Sequence, residues 1–570
     1  MEGQKSDQVV YTNKARCRDC YRCVRVCPVK AIKLQKGQAF VVEERCIACG
    51  TCIRECPQQA KCFRNDLELA SRLAAERNGH LAASIAPSFV SLFSPWERER
   101  LPSALRQLGF TFVAETAVGA FQVAKETAAI LSACPERSHI CSACPVVVRY
   151  IESYEPDKTE YLMPVVSPMI AHAKHLKEKL GENSKVIFFG PCVAKKAEAE
   201  WPQNSGWVDC VLTFSEMLAW FEKEGLELFK FEESRFDELP EGDSRFFPLA
   251  GGLVRTAALN TDLLAEEVLA VSGFEEVRDS LQNLDEVARV VEPLFCHQGC
   301  IDGPGIPASK SLFKRRQDVL SYATEHPGAL PEGDEERGLG IVFNPKKVDG
   351  DRPVSEEEIR QVLERSGNAK SEDQLNCGAC GYNSCREKAV AVLRGMAEVE
   401  MCIPSMRRLA EQRSDLILET SPNGILLLDE RLNIIGMNPA FRRFFMCSEG
   451  VFGRRISYLM DPEPFERLAA SGEDLLELTI EHSNYHYVFH QFLYPLREHG
   501  QYVGIFVNIT DSRANLEKLD RMKGETIRRA KELLDHQIRM AQGIAKYLGE
   551  STAQSEELVQ NILDLAGDKS

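Results

Sequence analysis

Apolar and polar positions repeat with two different periods along this chain. Between residues 80 and 365, short apolar runs follow amphipathic stretches, as KVIFFG follows AHAKHLKEKLGENS. Such an apolar run is typical of a buried strand, whereas the spacing before it is typical of a helix with one apolar face. The repetition of both patterns predicts an α/β core in this part of the chain.

The pattern changes towards the carboxyl end. Residues 412–512 carry many strand-like runs, and the stretch after them has the spacing of a helix. Apolar residues recur there in alternating steps of three and four, at Ile527, Ala530, Leu534, Ala541, Ile544 and Leu548. This seam predicts a helical or coiled-coil tail, through which two copies of the chain form a homodimer.

Composition restricts the class of protein. A chain of 570 residues predicts three to five domains. The net charge of −16 argues against nucleic acid as a partner. No apolar run is long enough for a membrane span, and the polar start MEGQKSDQVV lacks the apolar core of a signal peptide. With these features, the 21 cysteines favour metal ligands over disulfides and predict a cytoplasmic metalloprotein.

Two tandem runs near the start have the spacing C-x2-C-x2-C-x3-C-P. This spacing is typical of [4Fe–4S] ligation in which the fourth cysteine of each run serves the other cluster. The first cluster is therefore expected on Cys17, Cys20, Cys23 and Cys56. The second is expected on Cys46, Cys49, Cys52 and Cys27. Zinc or a disulfide knot is the alternative, but the segment resembles two-cluster bacterial ferredoxins, which implies electron transfer.

Four cysteines of the central segment, here called the cysteine quartet, stand out because of their neighbours. They are Cys144 in SACP, Cys192 in GPCVAKKAE, and Cys296 and Cys300 in FCHQGCIDGPG. Each alone would be interpreted as a buried thiol, but together they supply enough thiolates for one more cubane. Lys195 and Lys196 would place positive charge near such an anionic site, although a solvated surface is the alternative for this pair.

These loops resemble the catalytic domain of [FeFe]-hydrogenases over about 280 residues. CSACPVV, GPCVAKKAE and PLFCHQGCIDGPGI stand in the three signature loops, and GGLVRTA and IAPSFV match two further segments. The resemblance implies an H-cluster: a [4Fe–4S] cube held by the quartet, with Cys300 bridging to a [2Fe] unit that carries CO, CN⁻ and a dithiolate. It also implies that Lys195 bonds one cyanide and that Pro87 and Ser88 meet the other.

Departures from the family concern proton transfer. The family has a proton-carrying cysteine where this chain has Ala143, and a methyl group neither donates nor accepts a proton. Glu126 matches one of two relay glutamates, while Ala129 replaces the other. Further changes near the cluster loops are Met169, Gly190 and Leu294. The sequence therefore predicts an assembled but slow site, and a second interpretation gives Cys141 the relay role.

A further cysteine group has the spacing C-x2-C-x4-C-x16-C around the expected helix REKAVAVLRGMAE. Its members are Cys377, Cys380, Cys385 and Cys402. It resembles the small [4Fe–4S] module of corrinoid iron–sulfur proteins and some membrane electron-transfer subunits, and zinc is the alternative. Such a module would extend the electron path beyond the hydrogenase domain, towards the tail.

The pattern ILETSPNGILLLDERLNIIGMNPAFRRFF, closed by GQYVGIFVNITDSR, resembles a PAS domain. His482, His486 and His490 lie in or near a strand-like run. A haem ligand is one interpretation, and exposed or hydrogen-bonded histidines are the favoured one, so the PAS ligand stays unknown.

Together these segments predict a multidomain fold of α/β and α+β parts. The order is a ferredoxin domain (1–78), an H-cluster domain (79–365), a [4Fe–4S] module (366–410), a PAS domain (411–512) and a helical tail (513–570). This order resembles the sensory, PAS-bearing [FeFe]-hydrogenases. The resemblance implies H2 and protons as substrates, an H-cluster and three further [4Fe–4S] clusters, and a kinase, phosphatase or regulator in trans. Two alternatives are an ordinary hydrogenase that serves a ferredoxin-like carrier, and an iron–sulfur assembly homologue without the [2Fe] unit.

Overall fold

The computed structural model describes residues 8–76, 79–134, 136–258, 268–284, 289–307, 310–326, 338–346, 353–510 and 527–538, with single residues 328, 348 and 540. The chain forms two compact units, Met1–Met401 and Cys402–Ser570. In the part that the structure describes, no helix is both long and apolar enough to cross a bilayer.

The first unit begins with a small iron–sulfur-type segment built from two antiparallel strand pairs. Val10–Thr12 pairs with Lys61–Phe63, and Ile32–Gln35 pairs with Gln38–Val41. Two short helices, Arg22–Val26 and Thr51–Arg54, each begin within one of the two cysteine runs. The chain thus places both runs within one small segment.

A four-stranded parallel sheet forms the centre of the same unit. Its strands lie in the order Phe112–Glu115, Leu81–Ile85, Lys185–Gly190 and Cys210–Thr213. Leu81–Ile85 and Cys210–Thr213 are buried throughout. Near-continuous apolar runs of this kind suit strands that are covered on both faces.

A second parallel sheet has three strands, in the order Val268–Ser272, Val290–Leu294 and His139–Ile140. The first unit also contains helices of different lengths. The longer ones are Leu67–Ala75, Leu101–Gln107, Ala117–Ala133, Pro145–Tyr154, Pro168–Leu180, Phe214–Glu224, Phe274–Gln282, Leu312–Glu325, Glu356–Arg365 and Cys385–Leu393. Shorter ones are Pro95–Arg98, Ala194–Ala199 and Gly252–Thr256. The predicted α/β class is confirmed, including the helix before KVIFFG.

The helix expected over REKAVAVLRGMAE is shorter than its sequence pattern. It spans Cys385–Leu393 and ends before Gly395, which has φ of +68°. A glycine in this left-handed conformation commonly terminates a helix. The prediction was therefore wrong for the last residues of the segment.

The second unit contains a five-stranded antiparallel sheet after the helix Ile403–Thr420. Its strands lie in the order Ile434–Met437, Gly424–Leu428, Gln501–Asn508, Tyr487–Leu496 and Leu476–His482. The helices Pro439–Phe444 and Glu463–Ser471 connect them. Asn438 caps the first of these, since its side chain accepts a hydrogen bond from the Phe441 amide.

Residues 527–538 are helical, and their apolar seam faces the sheet of the same chain. Ile527, Ala530 and Leu534 pack with Phe492, Ile505 and Val507. The described part of the seam that was expected to form a dimer therefore contacts the antiparallel sheet of its own chain. The remaining seam residues, Ala541, Ile544 and Leu548, lie outside the described residues.

Candidate functional site

The cysteine quartet lies on loops that follow parallel strands. Cys144 follows His139–Ile140, Cys192 follows Lys185–Gly190, and Cys296 follows Val290–Leu294. The carboxyl ends of parallel strands are the usual place for ligands in open α/β sheets. The topology therefore explains how three distant loops supply one site.

A single cavity is lined by the whole quartet. It measures about 90 Å³ when counted as space open to the centres of water molecules. One water needs roughly 10–15 Å³ by this measure. The cavity therefore has room for a group much larger than a solvent molecule.

Burial makes the thiolate forms of three quartet members, Cys192, Cys296 and Cys300, unfavourable in the absence of a positive partner. Burial, with a smaller contribution from Cys144, raises the pKa of Cys192 to about 12. Burial also raises the pKa of Cys300, and Cys144 and Cys192 add to the effect. The pKa of Cys296 is well above its usual value, first through burial and then through the other three thiols. Buried thiolates that repel one another are stabilised by iron ions.

The two adjacent lysines of GPCVAKKAE point to different surroundings. Lys195 lines the cavity, and its Nζ lies 2.6 Å from Glu198 Oε2. Lys196 Nζ instead lies 2.8 Å from Asp66 Oδ2 and 3.0 Å from Glu216 Oε1. Neighbouring positions on a helix do not share a face. The expectation that both lysines serve the anionic site is therefore wrong for Lys196.

The cavity also contains an unsatisfied polar atom. Ser88 Oγ is buried and has no hydrogen-bond partner among the described residues. A buried polar group without a partner costs about 1–3 kcal/mol, and an acceptor in the cavity would remove this cost. Four thiols, one largely buried cation and one unpaired hydroxyl fit an anionic iron–sulfur group. Across the described ranges, no three His, Cys, Asp or Glu side chains converge on a site for a single metal ion.

Several other residues that the sequence singled out also border the cavity. Pro87 and Ala143 line the cavity, as do Met169 and Leu294. At Gly190 an added Cβ would lie 2.4 Å from the Phe188 ring, which itself lines the cavity. Phe188 therefore fills the space that a side chain at position 190 would need.

Neither Glu126 nor Cys141 lines this cavity. Glu126 is partly exposed on the helix Ala117–Ala133, whereas Cys141 is buried. Burial, followed by the nearby Glu292, raises the pKa of Cys141 well above its usual value. Both residues are therefore poorly placed to exchange protons with the cavity in this conformation.

Glu292 was missed by sequence reasoning, although a carboxylate within the apolar run VVEPL was a visible signal. Its carboxylate accepts hydrogen bonds from the Leu253 amide at 3.2 Å and the Val254 amide at 3.1 Å. It therefore joins GGLVRTA to the loop of Cys296. Burial raises the pKa of Glu292 to about 7, despite these backbone hydrogen bonds.

The structure brings together the two sets of ferredoxin-type cysteines in the expected interleaved manner. Burial raises the pKa of Cys23, which is also affected by the thiols of the first set: Cys17, Cys20 and Cys56. Burial raises the pKa of Cys52, which is also affected by the second set: Cys49, Cys46 and Cys27. Cys49 in addition lines the cavity of the quartet. The second set therefore lies next to that cavity, which the spacing alone did not reveal.

The loop with Cys377, Cys380 and Cys385 contacts the ferredoxin-type segment. Lys30 Nζ donates a hydrogen bond of 2.8 Å to the Gly381 carbonyl, and Arg25 donates one of 2.8 Å to the Ala379 carbonyl. Burial raises the pKa of Tyr382, and the thiols of Cys380 and Cys27 raise it further. This loop therefore lies close to a ligand candidate of the second set.

Two of the three histidines singled out in residues 412–512 make side-chain hydrogen bonds within the protein. His490 Nε2 lies 2.7 Å from Glu477 Oε1, and its Nδ1 lies 2.9 Å from Thr479 Oγ1. His482 Nε2 lies 2.7 Å from Gln491 Nε2. These contacts agree with the interpretation of His482 and His490 as hydrogen-bonded histidines.

Family models match four segments of the chain. The C-terminal domain of the iron only hydrogenase large subunit matches residues 79–304. A 4Fe-4S dicluster domain matches residues 9–57, an Fe-S cluster model matches residues 373–404, and a PAS domain matches residues 412–480.

Curated relatives are similar over part of their length. Iron hydrogenase 1 of Clostridium pasteurianum is 25% identical over 302 residues, which cover 43% of this chain and 53% of the relative. The NADP-reducing hydrogenase subunit HndD of Solidesulfovibrio fructosivorans is 25% identical over 381 residues, 56% of this chain and 61% of the relative. Cytosolic Fe-S cluster assembly factor NAR1 of Vanderwaltozyma polyspora is 38% identical over 79 residues, 14% of this chain and 15% of the relative. The match thus spans less than two thirds of each relative.

A solved structure of an [FeFe]-hydrogenase HydA1 variant from Chlamydomonas reinhardtii aligns with a TM-score of 0.40 and 20% identity. The alignment covers 47% of this chain and 91% of the HydA1 chain. From the family models and the curated relatives, the chain is a homologue of the [FeFe]-hydrogenases that joins the C-terminal domain of an iron-only hydrogenase large subunit to 4Fe-4S domains and a PAS domain.

Proposed function

We propose that this chain is a sensory [FeFe]-hydrogenase that slowly interconverts H2 with two protons and two electrons and signals through its PAS domain. The observation that carries the proposal is the cavity, in which the quartet, Lys195 and unpaired Ser88 surround one space while Ala143 stands at the family's proton-carrier position. The H-cluster, when bound, supplies the redox chemistry of H2. Three further [4Fe–4S] clusters would be held by the remaining cysteine sets.

The residues of this chain would hold the group and limit proton access. The quartet would ligate the cube, with Cys300 bridging to the [2Fe] unit. Lys195 and Ser88 would donate hydrogen bonds to its anionic ligands, because buried charge needs such donors. Ala143 would carry no proton, because a methyl group neither donates nor accepts one. These residues would therefore support binding of the H-cluster, while proton exchange between the cavity and solvent is slow.

Electrons would leave the cavity through the second cysteine set, since Cys49 borders both sites. Contacts hold this path together: Arg54 Nη1 lies 2.6 Å from Asp302 Oδ2, two residues after Cys300. From the second set, the route would continue to the loop of Cys377, Cys380 and Cys385, which docks beside Cys27. Electrons would thus reach the loop of Cys377, Cys380 and Cys385 through the ferredoxin segment. The sequence order had suggested that they pass directly from the hydrogenase domain to this loop and on towards the tail.

Lys30 lies between the second set and this loop. Burial lowers the pKa of Lys30, while the thiols of Cys27 and Cys380 oppose that effect. Lys30→Met is expected to lower the midpoint potentials of both neighbouring clusters by on the order of tens of millivolts, because a nearby positive charge stabilises the reduced, more negative form. Redox titration monitored by electron paramagnetic resonance measures the shift. Lys36→Met is the matched control, because Lys36 has the same left-handed backbone conformation and is exposed. If the midpoint potentials of the two neighbouring clusters were the same in Lys30→Met as in Lys36→Met, this electron route would be contradicted.

Cys141→Ala is expected to leave H2 turnover within about twofold of wild type, because the thiol is buried and lies off the cavity lining. H2-dependent reduction of a dye measures this rate. A much slower variant with intact clusters would restore Cys141 as the proton carrier.

The signalling proposal follows from the slow site and the PAS domain. A catalyst without a proton carrier is poorly suited to bulk turnover, whereas a sensor needs only a change of cluster state. The PAS domain and the helix after it would bias a kinase, phosphatase or regulator in trans.

The matured protein tests the catalytic part of the proposal. We expect H2-dependent dye reduction that is slow and that disappears in Cys300→Ser. High turnover would favour an ordinary hydrogenase serving a ferredoxin-like carrier. No H2-dependent reduction, with the cluster assembled, would contradict the proposed reaction.

A second candidate is an iron–sulfur assembly homologue without the [2Fe] unit, favoured by the short match to an assembly factor. In that case the quartet would hold a cube alone. Infrared absorption by CO and CN⁻ separates the two candidates.

A further inference from the structure

A chain of buried hydrogen-bonding side chains begins at the cavity. Thr116 lines the cavity. Its Oγ1 lies 2.7 Å from Ser84 Oγ, which in turn lies 2.7 Å from His172 Nδ1. All three side chains are at most 3% exposed. Strand Leu81–Ile85 contributes the serine, and helix Pro168–Leu180 contributes the histidine.

This series of side chains continues towards the protein surface along one face of helix Pro168–Leu180. His172 and His175 are three residues apart, and their rings are nearly parallel with centroids 6.2 Å apart. His175 Nε2 lies 2.8 Å from Glu238 Oε1 and 3.0 Å from Oε2. The Glu238 side chain is 17% exposed and also pairs with Lys179. Glu238, the outermost side chain of the series, therefore reaches solvent.

The histidine at the centre has an open nitrogen. His172 Nε2 is buried and has no hydrogen-bond partner among the side chains and backbone that the structure describes. The link from His172 to His175 would therefore need a bridging water between the two rings. Between the described side chains of this series, the link from the His172 ring to the His175 ring is the one without a direct hydrogen bond.

We propose that Thr116, Ser84, His172, His175 and Glu238 form a proton relay between the cavity and the surface, replacing the route that Ala143 interrupts. This inference rests on the proposed H2 chemistry. Each hydroxyl releases its own proton as it accepts another, and each imidazole takes a proton on one ring nitrogen and releases one from the other. Oxidation of one H2 yields two protons for this relay, while its two electrons leave through the iron–sulfur clusters.

The environment of His172 makes such a relay slow. Burial, and then the nearby His175, lowers the pKa of His172 to about 3, so the ring is neutral near pH 7. Glu238 opposes this effect weakly and Lys179 adds to it. At the outer end, burial alone would raise the pKa of Glu238, yet its bonds with His175 and Lys179 lower it to about 2. A relay through a neutral buried imidazole transfers protons but does not store them.

The test uses Ser84→Ala, which removes the link between Thr116 and His172. Ser184→Ala is the matched control, because Ser184 is a buried serine that precedes the neighbouring strand and bonds only the Gly181 carbonyl in the structure. Exchange of H2 with D2O, measured by mass spectrometry on matured full-length protein, should fall at least tenfold in Ser84→Ala and less than twofold in the control. Thr116→Val should match Ser84→Ala.

The same substitutions in an Ala143→Cys background separate relay from structure. With a cysteine at position 143, Ser84→Ala should slow exchange less than twofold, because protons then have a second route. An equal loss in both backgrounds, or no loss in either, would overturn the relay. Infrared bands of CO and CN⁻ must stay intact in each variant. Their absence in wild type as well would instead refute the proposed function.

A readout without the cofactor completes the test. In unloaded protein labelled with ¹⁵N-histidine, the His172 nitrogen signals should move in Ser84→Ala and stay in place in Ser184→Ala. Unchanged His172 signals in Ser84→Ala would contradict the hydrogen bond on which the relay depends.

Discussion

Ala143→Cys is expected to raise H2 turnover about 100-fold or more. A positioned proton carrier typically contributes 10²–10⁴-fold to rate, and Ala143 lines the cavity beside Cys144. A thiol titrates near neutral pH and can both accept and donate a proton. Dye reduction under H2, normalised to the infrared intensity of CO and CN⁻, measures the gain.

The control for this prediction is Ala143→Ser. Serine has a volume similar to that of cysteine, but its hydroxyl does not ionise near neutral pH, so the expected gain is much smaller. Equal rates for wild type and Ala143→Cys, with intact clusters, would show that the methyl group at position 143 does not limit turnover.

Removal of the Lys195 charge is the second large effect that we expect. The ammonium lines the cavity, and its only ion-pair partner in the described structure, Glu198, is itself buried. Lys195→Met alone would strand that carboxylate at a cost of about 3–5 kcal/mol. The double variant Lys195→Met/Glu198→Gln avoids this cost. It should retain its [4Fe–4S] content while CO and CN⁻ absorption falls about 10–100-fold, the usual range for lost outer-shell partners.

A second double variant, Lys196→Met/Glu216→Gln, makes the same change of charge at the neighbouring lysine and its partner on helix Phe214–Glu224. Lys196 contacts Asp66 and Glu216 and lies off the cavity. Its CO and CN⁻ absorption per cube should match wild type. Equal losses in both double variants would assign the effect to folding and not to ligand binding by Lys195.

The 4Fe-4S dicluster segment was predictable from sequence because the spacing of its cysteines directly reflects cluster geometry. The α/β core was predictable because buried parallel strands leave long apolar runs, as in KVIFFG. The direction of a side chain was not predictable from sequence. Lys195 and Lys196 are identical neighbours in the sequence, and only the helix Ala194–Ala199 places them on different faces.

Long-range contacts were likewise hidden. Nothing in the spacing of Cys49 indicates that it borders the quartet, and only tertiary packing brings Ser84 within reach of Thr116 and His172. The seam of Ile527, Ala530 and Leu534 has the same pattern whether it pairs with a second helix or, as here, with the PAS sheet. Periodicity identifies an apolar face but not its partner.

Infrared spectroscopy of the matured protein tests the central claim most directly. An H-cluster at the quartet predicts absorption bands of CO and CN⁻ that disappear in Cys300→Ser and shift when H2 is added. A protein that contains its iron–sulfur cubes but shows no such bands after full maturation would contradict the claim, and would assign the quartet to a cube without a [2Fe] unit.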